Sequence, residues 1–265
     1  MRSFDNATVV VTGAAAGLGR ALCERFGRAG ARIVALDRDE DALARTADAL
    51  RAAGIEAAPI ACDVTDERAV KRAMLAGADA FGGIDLLVCN AGISHHSEFA
   101  RTAPDVVRRV MAVNFFGALH CTHAALPQLL ARRGMIIAIS SVAGFAPLSG
   151  RTGYAASKHA LHGFFDSLRS ELDGSGVGVM LVCPSFIATD IDRHALDGEG
   201  RPYRGTKAIT GRLATPEAIA AQIHAAACRE RRLLLPGATA RLAWWVSRLA
   251  PVTYARIMVR RMRAS

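Results

Sequence analysis

A tyrosine and a lysine stand four residues apart in the segment YAASK, at Tyr154 and Lys158. Residues at this spacing share one face of a helix, so the phenol and the ammonium are expected to lie close together. A phenol has an unperturbed pKa near ~10, and a nearby ammonium lowers that pKa by stabilising the phenolate. The pair therefore predicts a group that donates and accepts a proton near neutral pH.

A glycine-rich segment, TGAAAGLG, occupies residues 12–19 between an apolar run and a helical pattern. Gly13, Gly17 and Gly19 permit a tight turn and let the backbone come close to a phosphate group. The following helix would supply N–H donors and the positive end of its dipole. Because these glycines lie between a strand and a helix, they predict a nucleotide-binding loop rather than an ordinary turn.

An aspartate, Asp37, ends the second apolar run, eighteen residues after Gly19. A carboxylate at this place accepts hydrogen bonds from ribose hydroxyls and repels a 2′-phosphate, which favours NAD over NADP. The adjacent Arg38 is the counter-argument, since an arginine here accommodates a phosphate. A solvated arginine at the start of a helix is the alternative interpretation of Arg38. NAD is thus the favoured cofactor, with NADP as the alternative.

Short apolar runs alternate with helical patterns along most of the chain. Strands are predicted at 8–12, 32–36, 57–62, 84–89, 135–140, 177–183 and 232–235. Helices are predicted at 17–29, from the end of the second strand to about residue 53, and at 66–81, 104–131, 154–172 and 216–228. This alternation indicates a parallel sheet covered by helices on both faces, with ligands at the carboxyl ends of the strands. The predicted fold is one α/β domain, a doubly wound parallel sheet (Rossmann fold) of about seven strands over residues 1–237, followed by a basic amphipathic helical extension over 238–265.

Several motifs together resemble the classical short-chain dehydrogenase/reductase family across about residues 5–235. The glycine spacing is G-x3-G-x-G, Asn90-Ala91-Gly92 follows the fourth strand, and Ser141 precedes Tyr154 by thirteen residues. The segment CPSFIAT at 183–189 matches the family's segment after the sixth strand, with Ser185 where glycine is usual.

The resemblance implies reversible hydride transfer between NAD(H) and a secondary alcohol or its ketone. It implies that Tyr154 transfers the proton and that Ser141 hydrogen-bonds the reacting oxygen of the substrate. It further implies that Asn114 holds a proton-relaying water and that Lys158 binds the hydroxyls of the nicotinamide ribose. It places the adenine at Asp63 and Val64 and the carboxamide at Ile187 and Thr189. The full set of implied cofactor-binding residues is Gly13, Gly17, Leu18, Gly19, Asp37, Asp63, Val64, Asn90, Ala91, Gly92, Tyr154, Lys158, Pro184, Ile187 and Thr189.

Two alternative functions remain. The alternative enzyme is an NADPH-dependent reductase of 3-oxoacyl thioesters, and the alternative class is a nucleotide-sensing regulatory protein. A sensor would not need the four residues Asn114, Ser141, Tyr154 and Lys158 together, so the enzyme is favoured. Residues 190–213 are expected to form a mobile substrate loop, because the family has a lid there and glycines are frequent in it.

The net charge of +9 is distributed unevenly. Residues 231–265 contain eight arginines and no acidic residue or lysine, whereas the first 230 residues hold 25 basic and 24 acidic residues. The near-neutral body gives no reason to expect a nucleic-acid partner. In the extension, Leu242, Trp245, Val246 and Leu249 form a helical apolar stripe, and Pro251 should break the helix. The stripe is expected to lie on anionic lipid, to cover the substrate cleft or to pack on a neighbouring subunit.

Partners and location are inferred from sparse signals. The six cysteines lack metal-ligand spacing and lie mostly in apolar runs, which predicts buried free thiols in a reducing compartment and no metal site. His95 and His96 lack further ligands and are interpreted as a pair on a loop surface, with contact to the substrate as the alternative. With no signal peptide and no membrane-spanning run expected, the predicted location is the cytoplasm, with peripheral membrane contact through 238–265 as an option. The resemblance implies a homodimer or homotetramer and a small-molecule alcohol or ketone as substrate.

Overall fold

The computed structural model describes residues 1–188, 195–205 and 213–263. Seven strands form a single sheet in the order β3-β2-β1-β4-β5-β6-β7, and each neighbouring pair is parallel. The predicted doubly wound parallel sheet is thereby confirmed. The strands are β1 (Thr8–Thr12), β2 (Arg32–Asp37), β3 (Ala57–Ala61), β4 (Leu86–Cys89), β5 (Met135–Ile139), β6 (Gly178–Val182) and β7 (Leu233–Leu234).

Helices cover both faces of this sheet. Those in the described residues are α1 (Gly17–Gly27), α2 (Glu40–Ala52), α3 (Glu67–Phe81), α4 (Pro104–Met111), α5 (Gly117–Ala131), α6 (Thr152–Glu171), α7 (Pro216–Cys228), α8 (Gly237–Leu249) and α9 (Pro251–Arg263). The apolar sides of α1, α2 and α7 form one core with one face of the sheet, and those of α3, α5 and α6 form a second core with the other face. Central strands such as β1 and β5 are buried along their whole length, as a sheet covered on both faces requires.

The strand order reverses at β1 and β4, which lie side by side at the centre of the sheet. The Thr12 hydroxyl at the end of β1 accepts hydrogen bonds from the backbone N–H groups of Asn90 and Ala91, at 2.9 and 3.0 Å. These bonds fix the end of β1 against the segment that follows β4. The crevice at such a reversal point is where doubly wound sheets bind their ligands.

The predicted helix over 104–131 is interrupted in its middle. A π-helical turn at Ala112–Phe116 separates α4 from α5 and contains Asn114, whose side chain is buried. The asparagine amide is hydrogen-bonded to the backbone of Ile93 outside the helix, and the wider turn accommodates that inward position. The helix is thus irregular at the position of Asn114.

The C-terminal helices pack on the segment that follows β5. Ala243 of α8 and Tyr254 of α9 form a small cluster with Ala146 and with partly buried neighbours. The Trp244 ring lies edge-on to Phe145, with ring centroids 4.8 Å apart. As predicted, the helix breaks at Pro251, which starts α9.

The apolar stripe expected on α8 is not the face that packs. Leu242, Trp245 and Leu249 are 66%, 61% and 78% exposed, while Val246 turns inward. The residues of α8 that pack on the chain at 142–146 are Ala243, Trp244 and Val246. Within the described residues, no helix has the length and apolar character needed to cross a bilayer.

All six cysteines are free, and five of them are buried. This agrees with the expectation of buried thiols drawn from their apolar surroundings.

The core under α6 provides a test of this packing. Phe165 is fully buried between α6 and the sheet, so Phe165→Ala should leave a cavity and lower the free energy of unfolding by about 3–5 kcal/mol. Phe99→Ala is the matched control, since Phe99 is 72% exposed and its truncation should change stability little. Urea denaturation monitored by circular dichroism measures both. Equal effects of the two variants would contradict the packing described.

Candidate active site

A cavity of about 920 Å³ opens at the carboxyl ends of the strands. It reaches from the glycine-rich segment to the C-terminal helices, and most of the predicted site residues line it. Gly19 and Asn114 lie behind its wall, and Thr189 lies outside the described residues. The predicted residues that line the cavity are Gly13, Gly17, Leu18, Asp37, Asp63, Val64, Asn90, Ala91, Gly92, Ser141, Tyr154, Lys158, Pro184 and Ile187.

The glycine-rich loop has the close approaches that its sequence predicts. Gly13 and Gly17 adopt φ values of +66° and +53°, which side chains disfavour. A Cβ on Gly19 would lie 1.9 Å from the carbonyl oxygen of Gly13, so only glycine allows this turn. Ala16 precedes α1 and gives its first turn no side-chain cap. The N–H groups there are suited to a phosphate at the edge of the cavity.

Asn90 holds the glycine loop in place. Its side-chain amide donates hydrogen bonds to the carbonyl oxygens of Thr12 and Gly13, at 2.9 and 3.1 Å. The loop is therefore fastened to the end of β4 as well as to β1. Asn90 thus fixes the position of the glycine loop at the edge of the cavity.

Asp37 lies at the end of β2 beside the glycine loop. Its carboxylate accepts hydrogen bonds from the backbone N–H groups of Ala15, at 3.0 Å, and Asp39, at 3.1 Å. Because each carboxylate oxygen accepts more than one hydrogen bond, acceptor capacity remains on the cavity side. The exposed Arg38 also lines the cavity, so the carboxylate and the guanidinium both border this end of the site.

Asp63 and Val64 follow β3 at the same end of the cavity. The Asp63 carboxylate accepts hydrogen bonds from both the backbone N–H and the hydroxyl of Thr65, at 2.9 and 2.8 Å. Val64 is buried, and its carbonyl oxygen lies 3.1 Å from Nδ1 of His120. This short turn presents one polar and one apolar side chain to the cavity.

Lys158 is a buried cation at the middle of the cavity wall. Its side chain is only 3% exposed, and Nζ donates a hydrogen bond to the carbonyl oxygen of Ile139 at 2.8 Å. Nζ lies 5.7 Å from the centre of the Tyr154 ring, so the four-residue spacing does bring the two groups together. Burial lowers the pKa of Lys158 to about 8, because the charged form loses its hydration.

Asn114 connects the π-helical turn to α6. Its Nδ2 group donates to the carbonyl oxygen of Ile93 at 3.0 Å and to the Ser157 hydroxyl at 2.9 Å, and Oδ1 accepts from the N–H of Ile93 at 2.8 Å. The Ser157 hydroxyl in turn donates to the carbonyl oxygen of Tyr154 at 2.8 Å. Both side-chain N–H groups of Asn114 are therefore used in holding the segment after β4 against the helix that carries Tyr154 and Lys158.

The two serines after β5 point in different directions, as strand alternation predicts. Ser140 is buried, and its hydroxyl donates to the carbonyl oxygen of Lys158 at 3.2 Å. Ser141 is half-buried on the cavity wall, where its hydroxyl accepts a hydrogen bond from the N–H of Ala143 at 3.1 Å. The Ser141 hydroxyl hydrogen is thus available to an acceptor in the cavity.

The segment after β6 lines the cavity beside the segment that carries Ser141. The carbonyl oxygen of Pro184 accepts a hydrogen bond from the N–H of Val142 at 3.0 Å, and Ile187 bridges to Ala214. Non-glycine residues with positive φ in the described chain are Asn6, Arg133 and Glu230. Ser185 is not among them, so its place in the family's glycine position imposes no left-handed backbone here.

The far end of the cavity is largely apolar and was mostly missed by sequence reasoning. It is formed by residues from four separate segments, and no spacing in the sequence links them. The C-terminal helices contribute several of these side chains, so they cover this end of the cavity. The apolar residues here include Val142, Leu148, Phe186, Leu242, Val246, Ile257 and Met258.

The interpretation of His95 and His96 as a surface pair is wrong for His95. His95 is fully buried, and burial lowers its pKa to about 4. Its backbone bridges to Leu196, so the segment 195–205 covers it. His96 lines the cavity and stacks on the Tyr203 ring, with centroids 4.6 Å apart. The expected substrate loop 190–213 thus contributes Tyr203, while 190–194 and 206–212 lie outside the described residues.

Comparison with known proteins identifies the same family along the chain. A family model described as short chain dehydrogenase matches residues 7–200. The cattle (Bos taurus) protein named dehydrogenase/reductase SDR family member 7B is 36% identical over 272 residues, which cover 99% of this chain and 84% of the relative. An Anopheles gambiae protein named dehydrogenase/reductase SDR family protein 7-like is 37% identical over 267 residues, covering 98% and 84% of the two chains.

A solved structure agrees with this assignment. A short-chain dehydrogenase/reductase from Burkholderia phymatum, crystallised in complex with NAD, has a TM-score of 0.83 and 31% sequence identity, with 94% of this chain and 96% of that chain covered. The doubly wound sheet is therefore the fold of this family. The chain belongs to the short-chain dehydrogenase/reductase family of oxidoreductases.

Proposed function

We propose that this protein transfers a hydride between NAD(H) and a lipophilic secondary alcohol or its ketone. The observation that carries the proposal is the placement of Tyr154, Ser141 and Lys158 on one cavity wall, beside the glycine loop. The residues fit a dinucleotide, because Gly13, Gly17 and Gly19 leave a backbone surface without side chains in front of α1. When bound, the nicotinamide ring supplies or accepts the hydride.

Each of the three side chains has a distinct part in moving the proton. The Tyr154 phenol donates a proton to the substrate oxygen in reduction and accepts it in oxidation. The Ser141 hydroxyl donates a hydrogen bond to the same oxygen, which stabilises the charge that develops there. The buried Lys158 ammonium favours the phenolate form of Tyr154 and has N–H groups left for ribose hydroxyls. Asn114 positions the helix that carries Tyr154 and Lys158.

The substrate class is inferred from the far end of the cavity. Side chains such as Val142, Phe186 and Val246 border the space beyond Ser141, which suits an apolar body next to the reacting carbon.

An NADPH-dependent reductase of 3-oxoacyl thioesters is the second candidate. The position of Arg38 on the cavity border favours it, since a guanidinium there pairs with a 2′-phosphate. The homo-oligomeric state and the cytoplasmic location stay predictions.

Tyr154→Phe tests the proton transfer. Without the hydroxyl the substrate oxygen loses its proton donor, so turnover should fall about 100-fold or more. NADH affinity, measured by quenching of protein fluorescence, should stay within a few-fold of wild type because the ring still fills its place. Turnover is followed by the absorbance of NADH with a panel of secondary alcohols and ketones. Turnover of the variant at the wild-type rate would contradict the mechanism.

Asp37→Ala tests the choice of cofactor. Removing the carboxylate takes away acceptors for the ribose hydroxyls and the repulsion of a 2′-phosphate. NADH affinity should therefore fall about tenfold or more, while NADPH affinity rises. Asp41→Ala is the matched control, because Asp41 is an exposed aspartate of α2. If Asp37→Ala leaves the ratio of NADH to NADPH affinity unchanged, the role of Asp37 in selecting NAD is refuted. A wild-type protein that prefers NADPH would support the second candidate.

The charge of Lys158, on which the proposed role depends, predicts a specific effect of pH on stability. The pKa of the folded form is about 8, below the value of 10.5 for an unburied lysine. Between these values the unfolded chain binds more protons, so stability should rise as pH increases. Below pH 8 the full cost of burying the ammonium is present.

Lys158→Met is the matched variant for this measurement, since it keeps a chain of similar length without the charge. From pH 7 to pH 10, the free energy of unfolding of the wild type should rise by about 2 kcal/mol relative to the variant. Urea denaturation at a series of pH values measures the difference. Parallel pH profiles of the two proteins would show that Lys158 does not carry the buried charge.

A further inference from the structure

We propose that the outer face of α8 and α9 binds the surface of an anionic lipid bilayer and places the mouth of the cavity against the lipid. The binding surface stands independently of the enzymatic activity, whereas its use for substrate entry rests on the proposed function. The outer face consists of the apolar residues Leu242, Trp245, Leu249, Val252 and Ile257 and the arginines Arg241, Arg248, Arg256 and Arg260.

The apolar part of the outer face is unusual for a surface in water. Leu242, Trp245 and Leu249 follow one another at helical spacing on α8 and are mostly exposed, and Val252 near the start of α9 is 62% exposed. The outer face holds five of the eleven large apolar side chains that are exposed in the described chain. A tryptophan with leucines on one side of a helix is typical of segments that lie in the bilayer interface.

Arginines border this apolar surface. At 3.6 residues per turn, Arg241 and Arg248 lie together on one flank of the stripe formed by Leu242, Trp245 and Leu249. Arg256 and Arg260 are exposed on α9, one turn apart. Among residues 1–188, 195–205 and 213–263, these four arginines form no ion pair. Side chains of this type keep the guanidinium at the level of lipid phosphates while their stems cover apolar surface.

Charge decides between a bilayer and a second copy of the chain. Residues 231–265 contain eight arginines and no acidic residue. In a symmetric dimer formed through this face, the same cationic surface would meet itself, and the like charges would repel. An anionic bilayer offers both an apolar layer for Trp245 and Leu249 and negative charge for the arginines. The observations therefore favour lipid as the occupant.

The same two helices form a wall of the cavity. Their inner side contributes Ala243, Val246, Tyr254 and Met258 to the lining. Leu242 and Ile257 line the cavity and are also exposed, so the rim of the cavity passes through the outer face. A lipophilic molecule dissolved in the bilayer would reach the cavity along an apolar path.

Sedimentation of the full-length protein with vesicles tests the binding surface. The vesicles contain either phosphatidylcholine alone or three parts phosphatidylcholine to one part phosphatidylglycerol. The wild type should pellet with the anionic vesicles, and binding should weaken as salt is added. The variants Arg241→Glu with Arg248→Glu, and Trp245→Ser with Leu249→Ser, should each lower the partition coefficient about tenfold or more.

Matched controls lie on α3, away from the C-terminal helices. Arg68→Glu with Lys71→Glu makes the same change in net charge at exposed positions, and Leu75→Ser replaces a leucine that is 57% exposed. Both controls should bind vesicles as the wild type does. Circular dichroism and NADH binding verify that every variant is folded.

Several outcomes would overturn the proposal. The first is wild-type protein that stays in the supernatant with anionic vesicles at low salt. The second is a loss of vesicle binding in the α3 controls that equals the loss in the outer-face variants. The third is a wild-type protein that binds no vesicles and forms a dimer in analytical ultracentrifugation, which Trp245→Ser with Leu249→Ser dissociates. A water-soluble ketone assayed with NADH separates this result from the proposed function. Failure of that assay with intact vesicle binding would reject the enzymatic proposal alone. Equal rates for wild type and both outer-face variants, on a ketone embedded in anionic vesicles, would reject the role in substrate entry.

Discussion

The buried ammonium of Lys158 is the constraint to which the rest of the site is adjusted. A cation at 3% exposure keeps its charge only where polar atoms replace its lost hydration, and the carbonyl oxygen of Ile139 does so at the end of β5. The backbone next to this cation must also leave space for the side chains around it. A Cβ on Gly92 would lie 3.2 Å from Oδ1 of Asn114, which is a tight contact, so a glycine after β4 leaves room for the Asn114 amide. The carboxyl ends of β4 and β5 and the start of α6 are thus fixed relative to one another around one nitrogen atom.

The π-helical turn is the second half of the same arrangement. The helix over 104–131 is widened at the π-helical turn. There the Asn114 side chain faces Ile93 and Ser157 and is hydrogen-bonded to both. Through Ser157 the asparagine reaches the backbone of Tyr154. A local departure from helical regularity therefore connects the segment after β4 with the helix that carries Tyr154 and Lys158. Turns of this kind are often found at functional sites.

Much of this could be predicted from the sequence, because parallel strands and the glycine loop depend on local patterns. The runs at 8–12 and 135–140 are mostly apolar, as strands buried on both faces are, and both are found as β1 and β5. Tyr154 and Lys158 were placed together because helical spacing is fixed by geometry. His95 was misjudged because its burial depends on the segment 195–205, which is distant in sequence. Phe186, Tyr203 and Met258 were missed for the same reason, since they meet only through the fold.

The C-terminal helices show where apolar periodicity reaches its limit. Leu242, Trp245 and Leu249 form the more hydrophobic side of α8, yet the side that packs carries Ala240 and Ala243, both buried. Trp244 and Val246 also turn toward the segment after β5, where the Trp244 ring lies 4.8 Å from the Phe145 ring. Apolar residues therefore lie on two sides of α8, and the helical periodicity alone does not say which side packs. The fold covers the side with Ala243 and Val246, and it leaves Leu242, Trp245 and Leu249 exposed on the other side.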